Sequence, residues 1–376
     1  MSAGTDNLIV LTAGGTGGHV FPAEALAAEL LRRGHRLALV TDRRGQAFGG
    51  TLGDLATYPI AAGGIAGRGI AARLKAIAEI GVGVLQARRL LKSLRPAAVV
   101  GFGGYASVPA MMAATGGGFA TALHEQNAVL GRANRLLAPR VTRIATCYPR
   151  LAHLSPAWSH KVVRTGMPVR PAIALLRGNP YPPPGADGPL RLLVLGGSQG
   201  ARVFSEVVPA ALARLPQPLR RRLEVSQQCR PEDLDAVRLA YQDTGIRAEL
   251  RSFFEDVPDR LAAAHLVITR SGASTVAEVT ALGRPAILVP YPHAIDDHQT
   301  ANAHALDEAG GGWLMPQPAF TPDSLAARIE ALAAQPGTLV RAAACSRSAG
   351  APEASARLAD LVAGLAVPAS GGEVRP

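Results

Sequence analysis

Five short segments hold the side chains with which this chain can do chemistry, and each follows an apolar run. Gly14-Gly15-Thr16-Gly17-Gly18-His19 closes the first such run, Leu8–Ala13. Its glycines let the backbone approach a ligand closely, and a helix starting there points its free N–H groups at an anion. His19, at that helix start, sits in partial positive charge that disfavours imidazolium. A neutral ring there can accept a proton or bind a phosphate. Gly196-Gly197-Ser198-Gln199-Gly200-Ala201 closes a second run, Leu190–Leu195, with the two loops 182 residues apart. His124-Glu125-Gln126-Asn127 places four polar side chains in a row behind a buried strand, which is costly unless they are paired or line a polar site. In Arg270-Ser271-Gly272-Ala273-Ser274-Thr275-Val276-Ala277-Glu278 the amides after Gly272 can take a diphosphate. Glu278, about one turn into that helix, can accept two hydrogen bonds from a ribose diol. Asp296, Asp297 and His298, before Gln299, have the look of a metal cluster. A metal draws carboxylates from several strands, however, and no other group has that spacing, so we expect no metal.

Around these segments apolar strands alternate with helices. Strands are predicted at Leu8–Thr12, Arg36–Thr41, Ala97–Gly101, Ala120–His124, Arg143–Ala145 and Lys161–Arg164, with a helix over Pro22–Arg33. The pattern restarts at Arg191–Leu195, Arg222–Ser226, Ala248–Phe253, Leu266–Thr269 and Ala286–Pro290, followed by helices at Pro322–Ala334 and Glu353–Ala363. Strands separated by helices predict a parallel, doubly wound α/β sheet, and two such sets predict two Rossmann-like domains. Ligands of such sheets bind beyond the carboxyl ends of the strands, where all the polar segments fall, so a cleft between facing domains is the expected site. Between the sets, the proline-rich run Arg177–Gly185 cannot continue a helix or a central strand. We expect an N-terminal domain over 1–165, a C-terminal domain over 166–350, and a disordered tail over 367–376. The helix at about 351–366 is expected to pack back on the first domain.

Composition narrows the partners. The 376 residues carry a formal charge of +11, which implies acidic partners: nucleic acid, phosphorylated substrates or an anionic membrane face. Nucleic acid binding calls for aromatic platforms or a basic reading helix, and only 4% of residues are aromatic. Cys147, Cys229 and Cys345 lack metal-like spacing and suit a reducing compartment. Met1–Asn7 is polar and does not read as a secretory leader. Pro96–Leu123 has no charged residue and is long enough to cross a bilayer, but its glycines and Pro109 read as strand, turn, short helix and strand. Asp42 ends the second strand where a dinucleotide fold binds ribose, which leaves a dehydrogenase as an alternative. The loop spacing departs from Gly-x-Gly-x-x-Gly, since position 20 is Val.

In this order and spacing, GGTGGHVFP (14–22), GFGGYAS (101–107), HEQN (124–127), the Pro-Val-Arg ending at Arg170, GGSQGA (196–201), RSGASTVAE (270–278) and DDHQTANA (296–303) resemble the MurG family. These are bacterial N-acetylglucosaminyltransferases that complete lipid II (glycosyltransferase family 28, GT-B type). The resemblance spans about residues 8–365 and implies two facing Rossmann-like domains. It implies inverting, metal-independent transfer from UDP-N-acetylglucosamine to the C4 hydroxyl of N-acetylmuramic acid in lipid I, with no cofactor. Carried over by position, the donor contacts are Thr16, Gly17, Gly18, Asn127, Arg170, Ser198, Phe254, Ala273, Ser274, Thr275, Val276, Ala277, Glu278 and Gln299. Gly14, Gly15, Gly104, Tyr105, His124 and Asn134 face the acceptor, and either His19 or Glu125 is the catalytic base. The family works at the cytoplasmic face of the bacterial inner membrane as a peripheral enzyme, alongside other cell-wall synthesis proteins. Arg73, Lys75, Arg88 and Arg89, interleaved with apolar residues, are expected to meet that anionic membrane surface. Met167 departs from the family's usual Asn, and Ser226-Gln227-Gln228-Cys229 from its usual His-Gln-Ser/Thr-Gly. A lipid glycosyltransferase with another acceptor and a UDP-sugar epimerase are the remaining readings.

Overall fold

The computed structural model describes residues 7–14, 17–42, 49–63, 70–104, 107–197 and 200–367, without the side chains of Gly17 and of residues 70–73. Two compact units emerge: Met1–Arg170 with Glu353–Pro376, and Pro171–Pro352.

The first unit runs β1 (Leu8–Thr12), α1 (Gly17–Arg32), β2 (Arg36–Thr41), α2 (Gly50–Gly53), β3 (Ala56–Pro59), α3 (Ile70–Leu94), β4 (Ala98–Gly101), α4 (Ser107–Gly116), β5 (Ala120–Glu125), α5 (Arg132–Leu137), β6 (Arg143–Thr146) and β7 (Val162–Arg164). Its seven strands are parallel, in the order β3-β2-β1-β4-β5-β6-β7. A sheet covered on both faces needs near-continuous apolar strands, which is how Leu8–Leu11 and Ala98–Val100 read. Alternation along β1 then splits the core. Ile9 and Leu11 pack with Leu26 and Leu30 of α1, whereas Val10 packs with Leu91 of α3 and Met111 of α4. Within the charge-free stretch 96–123, β4, much of α4 and the start of β5 are buried. Helix α1 begins at Gly17, five residues before the predicted Pro22. Neither glycine nor proline favours a helix, and burial of Leu26, Ala27 and Leu30 against β1 overrides that local preference.

The second unit runs α6 (Pro171–Leu176), β8 (Leu190–Leu195), α7 (Arg202–Ala213), α8 (Gln217–Arg220), β9 (Leu223–Gln228), α9 (Leu234–Tyr241), β10 (Arg247–Arg251), α10 (Val257–Ala263), β11 (Leu266–Thr269), α11 (Ala273–Leu282), β12 (Ala286–Leu288), α12 (His298–Glu308), β13 (Gly312–Leu314), α13 (Pro322–Ala334) and α14 (Pro336–Ala349). Six parallel strands lie in the order β10-β9-β8-β11-β12-β13, with the first strand of the unit central, as in dinucleotide-type folds. Arg284, fully buried, donates to the carbonyls of Leu261, Ala262 and Leu282, closing the ends of α10 and α11.

The last helix, α15 (Ala354–Ala366), belongs to the first unit. It buries Leu358, Ala359, Val362 and Ala366 against the face that holds Leu26 and Leu30. Arg33 of α1 pins it by donating to Asp360 (2.6 Å) and to the Ala356 carbonyl (3.1 Å). Leu358→Ala should therefore cost about 2–5 kcal/mol of unfolding free energy in urea melts, the range for a buried leucine whose site cannot collapse. A loss below about 1 kcal/mol would mean that α15 is not docked as described.

Candidate active site

Each unit gathers its polar segments at the carboxyl edge of its own sheet. In the first unit β1 ends at Thr12, whose carbonyl accepts from the Phe102 amide (2.9 Å) at the end of β4. The buried Ser107 hydroxyl reaches the carbonyls of Thr12 (2.9 Å) and Gly103 (2.6 Å), tying the start of α4 to both strand ends. Gly103 (φ +92°) and Gly104 (φ +79°) adopt left-handed backbone, and a Cβ on Gly103 would lie 2.9 Å from the His19 ring. Gly104 rests directly on the Gly14 carbonyl. The glycines therefore do two jobs, turning the chain and leaving room for the half-buried imidazole of His19. Gly15, Thr16 and Tyr105 lie outside the described residues.

The four polar residues ending β5 are mostly inside the protein. Glu125 is buried, and its carboxylate accepts from the amides of Asn127 (3.0 Å) and Gly131 (2.9 Å) and from the side chains of Asn134 (2.7 Å) and Asn127 (3.4 Å). One carboxylate thus organises the whole loop from 127 to 134 and is the reason Asn134 is buried. Gln126 donates one N–H to the Phe102 carbonyl (2.7 Å), which fixes its amide as donor toward His124 Nδ1 (3.2 Å). Nδ1 is then an acceptor, so the proton of neutral His124 sits on Nε2, facing the Gly166 carbonyl (3.4 Å). His124 has no exposed surface and presents no atom to solvent. It couples β5 to the segment carrying Arg170, whose guanidinium lies 5.2 Å over the Phe21 ring. Met167 is buried, and its sulfur accepts a weak hydrogen bond from the Cys147 thiol at 3.7 Å.

In the second unit β8 ends in Gly196 and Gly197 (φ +84°), with Gly200 (φ +70°) leading into α7; Ser198 lies outside the described residues. A side chain on Gly196 would run into the Ala201 amide. Gln228 at the end of β9 accepts from Gly196 N–H (3.2 Å) and donates to the carbonyls of Gly197 (3.2 Å) and Ser252 (3.3 Å). The departure at 226–229 thus supplies the loop's anchor. Gly272 caps α11 with extended backbone, and the first intrahelical bond runs from Val276 N–H to Gly272. The amides of Ala273, Ser274 and Thr275 therefore precede that bond at the positive end of the helix dipole. Glu278 is buried in α11, and Val276 and Ala277 lie between it and the cap. Phe254 is buried under the Arg260 guanidinium, 4.2 Å above its ring, and Arg260 is held by Glu249, Asp256 and Ser226. Gln299, in the first turn of α12, accepts from the Tyr291 amide (2.9 Å). Asp296 and Asp297 hold left-handed backbone just before it. Sequence reasoning missed Gln228, Arg260 and the anchoring role of Gln126. Each acts on residues distant in the chain, and only a polar residue at a strand end signals it.

Among the described residues no three His, Cys, Asp or Glu side chains cluster as metal ligands, and Asp296, Asp297 and His298 do not form such a group. The glycosyltransferase family 28 N-terminal domain matches residues 9–146, and the family's C-terminal domain matches 191–358. The chain belongs to glycosyltransferase family 28, in its MurG branch. It is 64% identical over 358 residues to a Paramagnetospirillum magneticum protein named UDP-N-acetylglucosamine--N-acetylmuramyl-(pentapeptide) pyrophosphoryl-undecaprenol N-acetylglucosamine transferase, covering 95% of this chain and 96% of that one. A Rhodospirillum rubrum protein of the same name is 62% identical over 360 residues, covering 95% and 92%. The crystal structure of Acinetobacter baumannii MurG aligns with a TM-score of 0.78 at 31% identity, over 95% of this chain and 99% of that one. This membership sets aside the dehydrogenase and epimerase readings and makes the two parallel-sheet units the halves of a GT-B glycosyltransferase.

Burial pushes the His124 pKa down to about 4, with a smaller unfavourable contribution from His19. A histidine held neutral in the fold but protonated when unfolded stabilises the protein fully above its unfolded pKa of about 6.5. That stability is lost as pH falls toward the folded value. Between pH 7.5 and pH 5 the loss at His124 should be about 2 kcal/mol. Urea melts at both pH values should show it in the parent and a shallower dependence in His124→Gln. Equal dependence in both proteins would assign the acid sensitivity to other groups.

Proposed function

We propose that the chain transfers N-acetylglucosamine from UDP-N-acetylglucosamine to the C4 hydroxyl of N-acetylmuramyl-(pentapeptide) pyrophosphoryl-undecaprenol. The observation that carries the reading is kinship to transferases of that name along 95% of the chain. The uridine would be read by the backbone at Phe254 and its ribose by Glu278. The diphosphate would lie on the amides of Ala273–Thr275, with Arg170 adding positive charge and the Ser198 hydroxyl a hydrogen-bond donor. Gly17, Gly18 and Asn127 would complete the wall around the donor, and Gln299 would bind the sugar hydroxyls. Gly14 and Gly104 would face the acceptor.

In this mechanism the acceptor hydroxyl attacks the anomeric carbon opposite the departing UDP, inverting an α link to a β link. Negative charge grows on the leaving diphosphate, and fixed helix-end dipoles with Arg170 stabilise it without a metal. His19 is the base: its ring is half-buried beside Gly103, whereas both oxygens of Glu125 are committed to loop amides. Glu125, His124 and Asn134 are then positioning residues. Product analysis with UDP-N-acetylglucosamine and a short-chain lipid I analogue tests the reaction, which should survive a chelator. His19→Ala should lower kcat by about 10²-fold or more and remove the acid limb of its pH profile. Glu125→Gln should lower kcat but keep that limb. If instead Glu125→Gln removes the limb and His19→Ala keeps it, the base is Glu125.

We further propose that the first unit rests on the anionic cytoplasmic face of the inner membrane. No helix of the described residues is long and apolar enough to cross a membrane. The first unit carries 22 Lys and Arg against 10 Asp and Glu, the second 17 against 18, so the net positive charge belongs to the first. Helix α3 buries Ala76, Ala87 and Leu91 and turns Leu74 (61% exposed), Ile77 (65%) and Leu85 (59%) outward, among exposed Lys75, Arg88, Arg89 and Lys92. A basic surface with protruding apolar side chains binds anionic lipid by charge and shallow insertion. The Arg73 side chain lies outside the described ones. Replacing Lys75, Arg88 and Arg89 by Glu should weaken binding to phosphatidylglycerol-rich vesicles by about 100-fold or more, at about 1 kcal/mol per lost charge. Unaltered, salt-insensitive sedimentation of the folded variant with vesicles would place the membrane face elsewhere.

A further inference from the structure

Arg270 opens the motif before α11, next to the helix start that would hold the diphosphate, yet its side chain points to a different task. Its guanidinium donates to the carbonyls of Val289 (3.1 Å) and Pro290 (2.9 Å) and to the Gln317 side-chain oxygen (2.7 Å). It lies between two rings, 5.3 Å from the centroid of Phe204 and 5.6 Å from that of Tyr291. No carboxylate pairs with it among the described ion pairs. One guanidinium nitrogen bridges the two consecutive carbonyls and the other reaches Gln317, so the planar fork ties the 289–290 turn to residue 317 while facing two aromatic rings, a geometry that a single ammonium does not supply. The group it grips is the turn after β12, and the next link is short. Tyr291, under the same guanidinium, donates its amide to Gln299 Oε1 at 2.9 Å.

That last bond fixes which way the Gln299 carboxamide faces. With its oxygen turned to the Tyr291 amide, the NH2 end is the part left to meet a ligand, as a pair of donors at a set angle. We infer that Arg270 is a positioning residue for donor-sugar discrimination, acting through the 289–291 turn on Gln299 without touching the donor. The inference rests on the proposed transferase reaction with Gln299 as its sugar contact. Sugars that differ at one carbon point the same hydroxyl in different directions. A donor pair locked in orientation separates them, and one free to rotate does so poorly.

The parent protein is measured first. Its UDP affinity by calorimetry and its transfer from UDP-N-acetylglucosamine to a short-chain lipid I analogue test the functional reading independently of Arg270. Arg270→Met should then leave the UDP dissociation constant within about threefold while raising KM for UDP-N-acetylglucosamine about tenfold or more. The kcat/KM preference over the C4 epimer, UDP-N-acetylgalactosamine, should fall about tenfold. Because Arg270 acts through Gln299, the same change in a Gln299→Ala background should alter that preference by less than about threefold. Gln317→Ala, which frees one side of the guanidinium, should shift the preference in the same direction, and it serves if melting shows Arg270→Met unfolded. The inference is overturned by an unchanged sugar preference in the folded variant, by UDP affinity falling in step with that of the UDP-sugar, or by effects additive with Gln299→Ala.

Discussion

Both units depend on keeping side chains away from the carboxyl ends of their central strands. A helix dipole acts within about one turn of its end, so an anion is held only where backbone can come close. Gly14, Gly103 and Gly104 clear that space at β1 and β4, and Gly196, Gly197 and Gly200 clear it at β8. Loops without side chains have little to pack, and they need rigidity supplied from elsewhere. Here polar residues at neighbouring strand ends, and one at the start of α4, supply it. Ser107 and Gln126 serve the first unit and Gln228 the second, each bonded to backbone groups of a glycine turn or the residue beside it.

That division explains what the sequence made legible. The glycine loops, the parallel alternation and the helix after Gly272 are local patterns, and the central strands were readable because both-face burial demands unbroken apolar runs. Edge strands β3 and β13 lack that signal: they are short and only partly buried, so their sequences resemble loops. The long helix α3 carries apolar residues on both its inward and outward faces, which blurs its period. Among the site residues, position was legible and role was not. His124 and Glu125 read as a polar wall in the chain, but three-dimensional pairing turns them inward, one to Gln126 and Gly166, the other to the 127–134 loop. No spacing rule contains those partners.

The two departures from the family pattern are resolved by the same logic. Ser226 accepts from Arg260, which covers Phe254, and Gln228 anchors the Gly196 loop, so the altered segment still fixes both features beside it. Met167 accepts from the Cys147 thiol, whose sulfur also lies 3.7 Å from His124 Nε2. In each case neighbouring side chains pack against or bond to the substituted residue.

The uneven charge of the two units follows from what each would have to release. The second unit intersperses its charges in local pairs, among them Arg191–Glu224–Arg247, Arg230–Asp233 and Arg251–Glu249–Arg260. Such pairing nearly cancels its far field beyond a Debye length of about 8 Å. The diphosphate would then be gripped mainly by helix-end amides, whose hold vanishes over a few ångströms, and UDP could leave without climbing out of a long-range attraction. The first unit meets the opposite demand. If that unit rests on an anionic bilayer as proposed, it would gain from an excess of basic over acidic charge, because attraction summed over many residues persists while any one contact exchanges. On the proposed membrane reading, concentrating the positive charge in one unit would let the enzyme stay at an anionic surface while still releasing its anionic product.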